Sequence, residues 1–301
     1  MTFNPDSDLQ REVAGQPDDW ARVVARLPEL ADALPAAGAR VAVVGCGTSY
    51  FMAQAYAARR EQSGHGETDA FAASEHRLDR SYDAVLVITR SGTTTEVIDV
   101  LRSLRGRHLV TTAIVATPGT PVTELADRTV LLPEVDEKSV VQTRFATSTV
   151  ALLRASLGED LSAAIKDARA VLAEDEAQCL AGVADAEQVT FVGRGWTIGL
   201  AAEAALKLRE SAQFWTESYP AMEYRHGPIS VARPGSVVWS LGDVDGSVLE
   251  DAAGTGATVV TGELDAMAEL VRIQRTAVAL AEHRGLEPDH PRHLTRSVVL
   301  S

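Results

Sequence analysis

Short apolar runs that are rich in β-branched residues alternate with longer amphipathic stretches along most of this 301-residue chain. The run Val41–Val44, for example, is followed by Gly45 and by the helical pattern Tyr50–Arg60. Such alternation is typical of a parallel sheet whose faces are covered by helices. The other predicted strands are Ala84–Ile88, Thr112–Ala116, Thr129–Leu132, Val189–Val192, Ser236–Leu241, Ala257–Thr261 and Ser297–Leu300. The sequence therefore predicts an α/β protein.

A helical stretch separates the predicted strands into two groups. Residues from about 147 to 184 are rich in Ala, Leu, Glu and Asp, and the strand–helix alternation resumes after them. The chain is long enough for two domains of ordinary size. We therefore predict an N-terminal arm or helix over residues 1–30, a first domain over 31–165 and a second domain over 166–301 that ends in a tail.

The charge of the chain excludes one large class of function. Its net charge is −14, whereas a nucleic-acid surface needs clustered cations. The two cysteines, Cys46 and Cys179, have no metal-binding spacing, so we predict no metal site. The apolar runs are too short to cross a bilayer and the N-terminus is polar, which predicts a cytoplasmic protein without membrane contact.

The segment Gly45-Cys46-Gly47-Thr48-Ser49 stands between a predicted strand and a predicted helix. Glycines let the backbone approach a ligand closely, and the hydroxyls of Thr48 and Ser49 stand at a helix start, where free N–H groups point outward. Ligands of open α/β sheets bind at this end of the strands. The segment is a candidate cradle for a phosphate or a sugar hydroxyl, and an ordinary helix cap is the alternative interpretation.

A second turn, Thr89–Glu96, carries more hydroxyl and guanidinium side chains than a helix cap uses. The three terminal oxygens of a phosphate need such a surplus of donors, so this turn is a candidate phosphate site. Neither turn fits a Walker A loop or a dinucleotide fingerprint. We therefore predict that the protein works without a nicotinamide or other cofactor.

Two further segments carry groups that can exchange protons. Glu203, Lys207 and Glu210 are spaced by four and three residues, so one face of a helix carries all three. A carboxylate beside an ammonium group can act as an acid–base pair, and a solvated charged surface is the alternative. His226 precedes a Gly-Pro pair, which predicts a turn, and it is either a proton-exchanging group or an ordinary surface histidine.

Five segments taken together resemble one known family. They are Gly45–Ser49, Thr89–Glu96, Glu203–Glu210, His226–Pro228 and the basic ending Pro291–Val298. In this order they resemble the isomerase domain of glucosamine-6-phosphate synthase and related sugar isomerase (SIS) proteins, over nearly the whole chain. The resemblance implies two flavodoxin-like SIS lobes, with the tail of the second at the active site. It also implies a homodimer whose active site lies at the subunit boundary.

The resemblance implies roles for individual residues. Glu210 resembles the base that moves a proton between C1 and C2 of the sugar, and Lys207 resembles its neighbouring lysine. His226 resembles the histidine that opens the sugar ring, which in this family comes from the partner subunit. The residues implied in binding a sugar 6-phosphate are Gly47, Thr48, Ser49, Thr89, Arg90, Ser91, Thr94, Val140 and Gln142.

Three departures from the family pattern bear on function. The synthase has an N-terminal glutaminase domain for which this sequence shows no counterpart, so we expect no glutamine-dependent synthesis. Arg296 stands where the synthase has a lysine, and because Arg forms no Schiff base it is expected to hold an anion or oxyanion. Arg90 replaces a glutamine in the phosphate turn and is expected to strengthen phosphate binding by its charge.

The expected chemistry begins with removal of the C2 proton from an open-chain sugar phosphate, which gives an enediol or enediolamine. Our leading hypothesis is an aminosugar-6-phosphate isomerase or deaminase. A dehydratase that expels the C3 hydroxyl of N-acetylglucosamine 6-phosphate is the first alternative. A sugar-phosphate sensor without catalysis is the second, and Glu210 and His226 count against it because a sensor needs only the hydroxyl turns.

Overall fold

The computed structural model describes residues 7–180 and 182–300. Residues 1–6 of the predicted arm, Ala181 of the helical stretch and Ser301 of the tail lie outside this description. The chain forms two compact units. The first lobe consists of Asp18–Lys138, Arg144–Leu161 and the described part of Thr295–Ser301, and the second lobe of Ser139–Thr143, Ser162–Leu294 and the described part of Met1–Pro17. Both lobes are therefore assembled from separate segments, whereas the predicted domains are continuous.

The first lobe is built on a five-stranded sheet in the order β2-β1-β3-β4-β5, and every neighbouring pair is parallel. Its strands are β1 (Val41–Gly45), β2 (Thr68–Ala72), β3 (Ala84–Thr89), β4 (Val110–Val115) and β5 (Arg128–Leu131). The helices from the start of the description to the end of this lobe's second segment are α1 (Asp8–Ala25), α2 (Leu27–Leu30), α3 (Thr48–Gln62), α4 (Thr95–Leu104), α5 (Pro121–Leu125) and α6 (Arg144–Ser156). Helix α1 begins in the second lobe and ends in the first.

The second lobe repeats this design with a four-stranded parallel sheet in the order β7-β6-β8-β9. Its strands are β6 (Gln188–Gly193), β7 (Thr216–Pro220), β8 (Ser236–Leu241) and β9 (Thr258–Val260). Its helices are α7 (Ser162–Leu172), α8 (Glu176–Leu180), α9 (Thr197–Ala212), α10 (Gly246–Gly254) and α11 (Ala266–His283). In each lobe the first strand pairs with the strand that follows it and also with the next one, so the two sheets share one topology.

The predicted fold class is confirmed, and seven of the eight predicted strands are present with small shifts of their ends. The prediction of a strand over Ser297–Leu300 is wrong, because this segment joins no sheet. Instead the carbonyl of Val298 accepts a hydrogen bond from the Thr95 N–H at the start of α4, 3.2 Å away. The edge strands β2 and β7 were not predicted, since their residues are mostly half-buried and mixed in polarity.

Each lobe brings its first strand very close to the helix that follows. A Cβ added to Gly45, the last residue of β1, would lie 2.5 Å from the backbone of Ser49. A Cβ on Gly193, the last residue of β6, would lie 2.4 Å from the backbone of Thr197. Only glycine fits such a contact, so the same residue type fixes the first strand–helix turn in both lobes.

Among the residues that the structure describes, no helix combines the length and the apolar character that crossing a membrane requires.

Candidate functional site

The two predicted phosphate turns of the first lobe follow neighbouring strands. Strands β1 and β3 are parallel, with Val44 opposite Val87, so the turns after them emerge at one edge of the sheet. In the first turn Gly47 has a φ of 53° and is exposed, while Thr48 and Ser49 are buried at the start of α3. The backbone of this turn is closed by a hydrogen bond from the Ser49 N–H to the Cys46 carbonyl, 3.1 Å long.

The second turn packs several hydroxyls before helix α4. Thr89 and Ser91 are buried, and Thr94 is half-buried and provides the N-cap of α4 without a capping hydrogen bond from its side chain. The Ser91 Oγ accepts hydrogen bonds from the Thr93 N–H at 3.3 Å and from the Thr93 hydroxyl at 3.1 Å. Gly92 has a φ of 65°, and a Cβ there would lie 2.1 Å from the Thr120 hydroxyl, so this turn tolerates only glycine at that position.

The Arg90 guanidinium is paired with a carboxylate inside the first lobe. Its Nη1 lies 3.2 Å from the Glu137 Oε2, and both side chains are almost fully buried. Its Nη2 donates to the Arg296 carbonyl at 3.0 Å. Glu137 also accepts a 2.7 Å hydrogen bond from the N–H of Arg144, where α6 begins. The cation expected to strengthen phosphate binding is therefore matched by a buried anion, and its contribution to phosphate binding stays a prediction.

The tail joins the same turn. The Ser297 Oγ lies 3.1 Å from the Ser91 Oγ, 3.0 Å from the Thr93 hydroxyl and 3.4 Å from the Thr94 hydroxyl. The Arg296 guanidinium forms an ion pair with Asp136 and donates to the Thr117 hydroxyl at 3.3 Å. The structure thus brings Arg296 together with the predicted phosphate turn.

The predicted acid–base residues of the second lobe form one buried row on α9. The Lys207 Nζ lies 3.3 Å from the Glu203 Oε1 and 2.5 Å from the Glu210 Oε2. The side chains of Glu203 and Lys207 are 0% and 1% exposed, whereas that of Glu210 is 18% exposed. A solvated charged surface does not fit such burial, so the alternative interpretation of this segment is wrong. Glu210 is the member of the row that a ligand from solvent can reach.

The remaining predicted residues of the second lobe lie on other segments. His226 is exposed and follows a short 3-10 turn, and its N–H donates to the Glu223 carbonyl at 2.9 Å. The predicted turn at this histidine is confirmed. Val140 and Gln142 are half-buried in the segment Ser139–Thr143. The roles of these three residues stay predictions.

Several polar groups near these sites were not singled out from the sequence. Ser297, Thr93, Asp136 and Glu137 all take part in the contacts described above. Thr93 lies within the predicted phosphate turn, and its hydroxyl could have been included on the same reasoning. The other three are distant along the chain from the groups they contact, and no local pattern points to them.

The thiol of Cys46 lies in the first predicted turn and is only partly buried. Burial raises its pKa to about 11, the negative charge of Glu96 adds to the rise, and a backbone hydrogen bond at Ala73 opposes it. This thiol therefore stays protonated and neutral near neutral pH, so it adds no negative charge to a turn predicted to bind phosphate.

Comparisons with known proteins agree with this architecture. Residues 36–157 match the family model described as the SIS domain. The chain is 28% identical to the glutamine–fructose-6-phosphate aminotransferase (isomerizing) of Aeropyrum pernix, in an alignment covering 97% of this chain and 57% of that protein. The chain thus spans little more than half the length of this curated relative.

Two solved structures share the fold. A glucosamine-6-phosphate deaminase from Thermotoga maritima superposes with a TM-score of 0.80 at 23% identity, covering 98% of this chain and all of that one. The C-terminal domain of a glucosamine-fructose-6-phosphate aminotransferase from Francisella tularensis gives a TM-score of 0.81 at 20% identity, covering 97% and 100%. Residues 36–157 are thus matched as a SIS domain, and the chain as a whole shares the fold of these two structures.

Proposed function

We propose that this chain is an aminosugar-6-phosphate isomerase or deaminase that removes the C2 proton of an open-chain sugar phosphate. The observation that carries the proposal is the buried row Glu203–Lys207–Glu210, which leaves one carboxylate partly open to solvent. The names of the similar proteins support it, because they include an isomerizing aminotransferase and a glucosamine-6-phosphate deaminase.

Glu210 is the proposed base. Its Oε2 is held by the Lys207 ammonium at 2.5 Å, which fixes the orientation of the carboxylate. Lys207 is buried with Glu203 beside it, so the ammonium has a second carboxylate for compensation. This arrangement gives a base of defined orientation that takes the proton from C2 and can return it to C1.

Return of the proton to C1 completes the aldose–ketose isomerisation. When C2 carries an amino group, protonation of the enediolamine at C1 gives an imine at C2. Water adds to that carbon, ammonia leaves, and the ketose phosphate remains. The isomerase and the deaminase therefore share the removal of the C2 proton and its return to C1.

The phosphate is proposed to bind in the first lobe. The turns offer the hydroxyls of Thr48, Ser49, Thr89, Ser91 and Thr94, with the N–H groups at the starts of α3 and α4. Hydroxyl and N–H donors at a helix start bind an anion without a net positive surface, which suits a chain of net charge −14. Gly47 allows close approach of the backbone in the first of these turns, and Arg90 supplies a guanidinium in the second.

The remaining predicted residues complete this proposal. His226 is exposed, as a residue that serves the active site of a partner subunit must be before assembly, and we propose a homodimer on this basis. Val140 and Gln142 are proposed to contact the sugar, and Arg296 to hold an anion or oxyanion. A cytoplasmic location, where sugar phosphates are present, fits the proposed substrate.

The test is proton exchange in D₂O followed by proton NMR with fructose 6-phosphate, glucosamine 6-phosphate and N-acetylglucosamine 6-phosphate. We expect loss of the C2 proton signal of glucosamine 6-phosphate, with release of ammonium if the protein is a deaminase. A new vinylic signal from the N-acetylated substrate would instead identify the dehydratase. Absence of exchange with all three substrates would contradict the proposal and favour a sensor.

A matched pair of variants connects this exchange to the buried row. Glu210→Gln keeps the size of the side chain and removes the base, so exchange should be lost. Glu250→Gln changes an exposed glutamate on α10 and should leave exchange intact. Equal exchange by both variants would exclude Glu210 as the base.

A further inference from the structure

Uncharged polar groups of the tail, residues 296–300, lie within hydrogen-bond distance of hydroxyls that we propose to bind phosphate. The single Ser297 Oγ lies within 3.0 to 3.4 Å of the hydroxyls of Ser91, Thr93 and Thr94. Two of these three, Ser91 and Thr94, are proposed phosphate-binding residues. One serine hydroxyl therefore sits where several donors converge.

The tail also occupies the start of helix α4. The Thr95 N–H, which a bound anion would use, donates to the Val298 carbonyl at 3.2 Å. The Leu300 N–H donates in return to the Thr95 hydroxyl at 2.9 Å. A carbonyl oxygen carries a partial negative charge, so it is the neutral counterpart of a phosphate oxygen at a helix start.

We infer that residues 296–300 act as an internal ligand that occupies the phosphate-binding turn of the free protein, and that a phosphate monoester displaces them. This inference rests on the proposed function, because it assumes that the turn Thr89–Thr95 binds phosphate. The groups of the tail that stand in for phosphate oxygens are the Ser297 hydroxyl and the Val298 carbonyl.

The tail is held in a way that permits exchange. Val298, Val299 and Leu300 are 52%, 68% and 59% exposed, so little apolar surface anchors them. Their contacts to the turn are neutral hydrogen bonds, each of which adds little net free energy because it replaces a bond to water. Phosphate oxygens form charge-assisted hydrogen bonds with the same donors, and these are stronger.

Displacement of the tail would also change the contacts of two arginines. The Arg90 Nη2 donates to the Arg296 carbonyl at 3.0 Å, and this hydrogen bond ends when the tail leaves. The Arg296 guanidinium is paired with Asp136. Displacement therefore ends one hydrogen bond of Arg90, which keeps its buried partner Glu137.

The first experiment measures the binding of inorganic phosphate by calorimetry to the unmodified chain, to Ser297→Ala and to the chain lacking residues 297–301, which keeps Arg296. Because the apparent affinity is reduced by the fraction of molecules whose turn is occupied, both changes should tighten binding, by about fivefold or more. Ser81→Ala, at an exposed serine of the first lobe, is the control and should bind as the unmodified chain does. Unchanged or weaker binding by Ser297→Ala and by the shortened chain overturns the inference.

The second experiment follows amide hydrogen exchange of Leu300, whose N–H is bonded to Thr95. If phosphate displaces the tail, saturating phosphate should make this amide exchange faster. Slower exchange would mean that the tail closes over the ligand, and it overturns the inference without touching the proposed function. If phosphate binds neither the unmodified chain nor any of the variants, the phosphate site itself is absent and both proposals fail. If Ser91→Ala weakens phosphate binding and Ser297→Ala leaves it unchanged, the inference of an internal ligand is contradicted, whereas the proposed phosphate site is supported.

Discussion

The two lobes share a topology and differ in the turn that follows their second central strand. In the first lobe the turn after β3 contains Ser91, Thr93 and Thr94, whereas in the second lobe the turn after β8 contains Asp243 and Asp245. The Asp245 carboxylate caps α10 by accepting hydrogen bonds from the Ser247 hydroxyl and from the Ser247 N–H, and these hydrogen bonds lower its pKa. A carboxylate that stays charged repels a phosphate, so only the first lobe offers this turn to an anion.

The difference extends to the helices. In the second lobe the Thr197 hydroxyl at the start of α9 donates to the Leu241 carbonyl at 2.8 Å and accepts from the Arg194 N–H, so it serves the structure. The polar chemistry of this lobe lies along α9 instead, in the row from Glu203 to Glu210. On the proposed function, one architecture therefore carries phosphate binding on a turn in one lobe and acid–base groups on a helix face in the other.

The largest expected effect lies in the second lobe. Glu210→Gln removes the proposed base, and general acid–base catalysis of this kind contributes about a thousandfold in rate. We expect C2 proton exchange to fall by that factor, while the affinity for inorganic phosphate, which we propose to bind in the first lobe, stays unchanged. Exchange rates by NMR and calorimetric titration of the same samples measure both quantities. A parallel loss of phosphate affinity would contradict the division of labour between the lobes.

Substitution of the glycine that ends the first strand of each lobe should destabilise both lobes to a similar extent. Gly45→Ala and Gly193→Ala each place a Cβ within 2.5 Å of backbone atoms, and such overpacking costs about 3 kcal/mol of unfolding free energy. Urea denaturation measures the cost. Gly254→Ala in α10, where a Cβ would meet no atom within 4 Å, is the control and should be neutral or slightly stabilising. If only one of the two glycine variants were destabilised, the common role of these residues would be refuted.

Each lobe has one cysteine, and both should react slowly with iodoacetamide for different reasons. Cys46 is partly exposed, but its pKa is raised to about 11, so the reactive thiolate is scarce at pH 8. We expect alkylation about a hundredfold slower than that of a free thiol, accelerating as the pH rises toward 11. Cys179 is buried and should stay unmodified in the folded protein. Mass spectrometry detects the alkylation, and the variant Cys46→Ser shows which part of it occurs at Cys179. Rapid labelling of Cys46 at pH 8 would argue against the raised pKa.

The smallest expected effect compares the two turns directly. Ser91→Ala removes one charge-assisted hydrogen bond to phosphate and should weaken phosphate binding about tenfold. Asp245→Ala in the corresponding turn of the second lobe should leave phosphate affinity unchanged. Calorimetric titration with inorganic phosphate tests both variants. Equal effects would show that the hydroxyl turn has no special part in binding.

Local periodicity predicted the parts of the molecule in which neighbours in sequence are neighbours in space. The spacing of Glu203, Lys207 and Glu210 follows from the geometry of a helix, and their contacts confirm it. Central strands such as β1 and β8 are apolar runs whose residues are all buried, so their composition identifies them.

The parts that the sequence did not reveal depend on distant residues. Glu137 meets Arg90 from 47 positions away, and Ser297 meets Ser91 from 206 positions away. The β-branched residues of Ser297–Leu300 indicated a strand, but the segment hydrogen-bonds to a helix start and a threonine hydroxyl instead. The edge strand β7 contains Glu217 and Ser218, and a half-buried edge imposes too weak an apolar pattern to identify it.

The buried pair of Arg90 and Glu137 also restricts how this protein can change over generations. Both side chains are almost wholly enclosed, so replacing Arg90 alone removes a cation from beside a buried carboxylate, which is strongly unfavourable. A lineage that exchanges this arginine for an uncharged amide must therefore alter position 137 as well, or accept a less stable intermediate. The residues at these two positions, 47 residues apart, are therefore expected to change together.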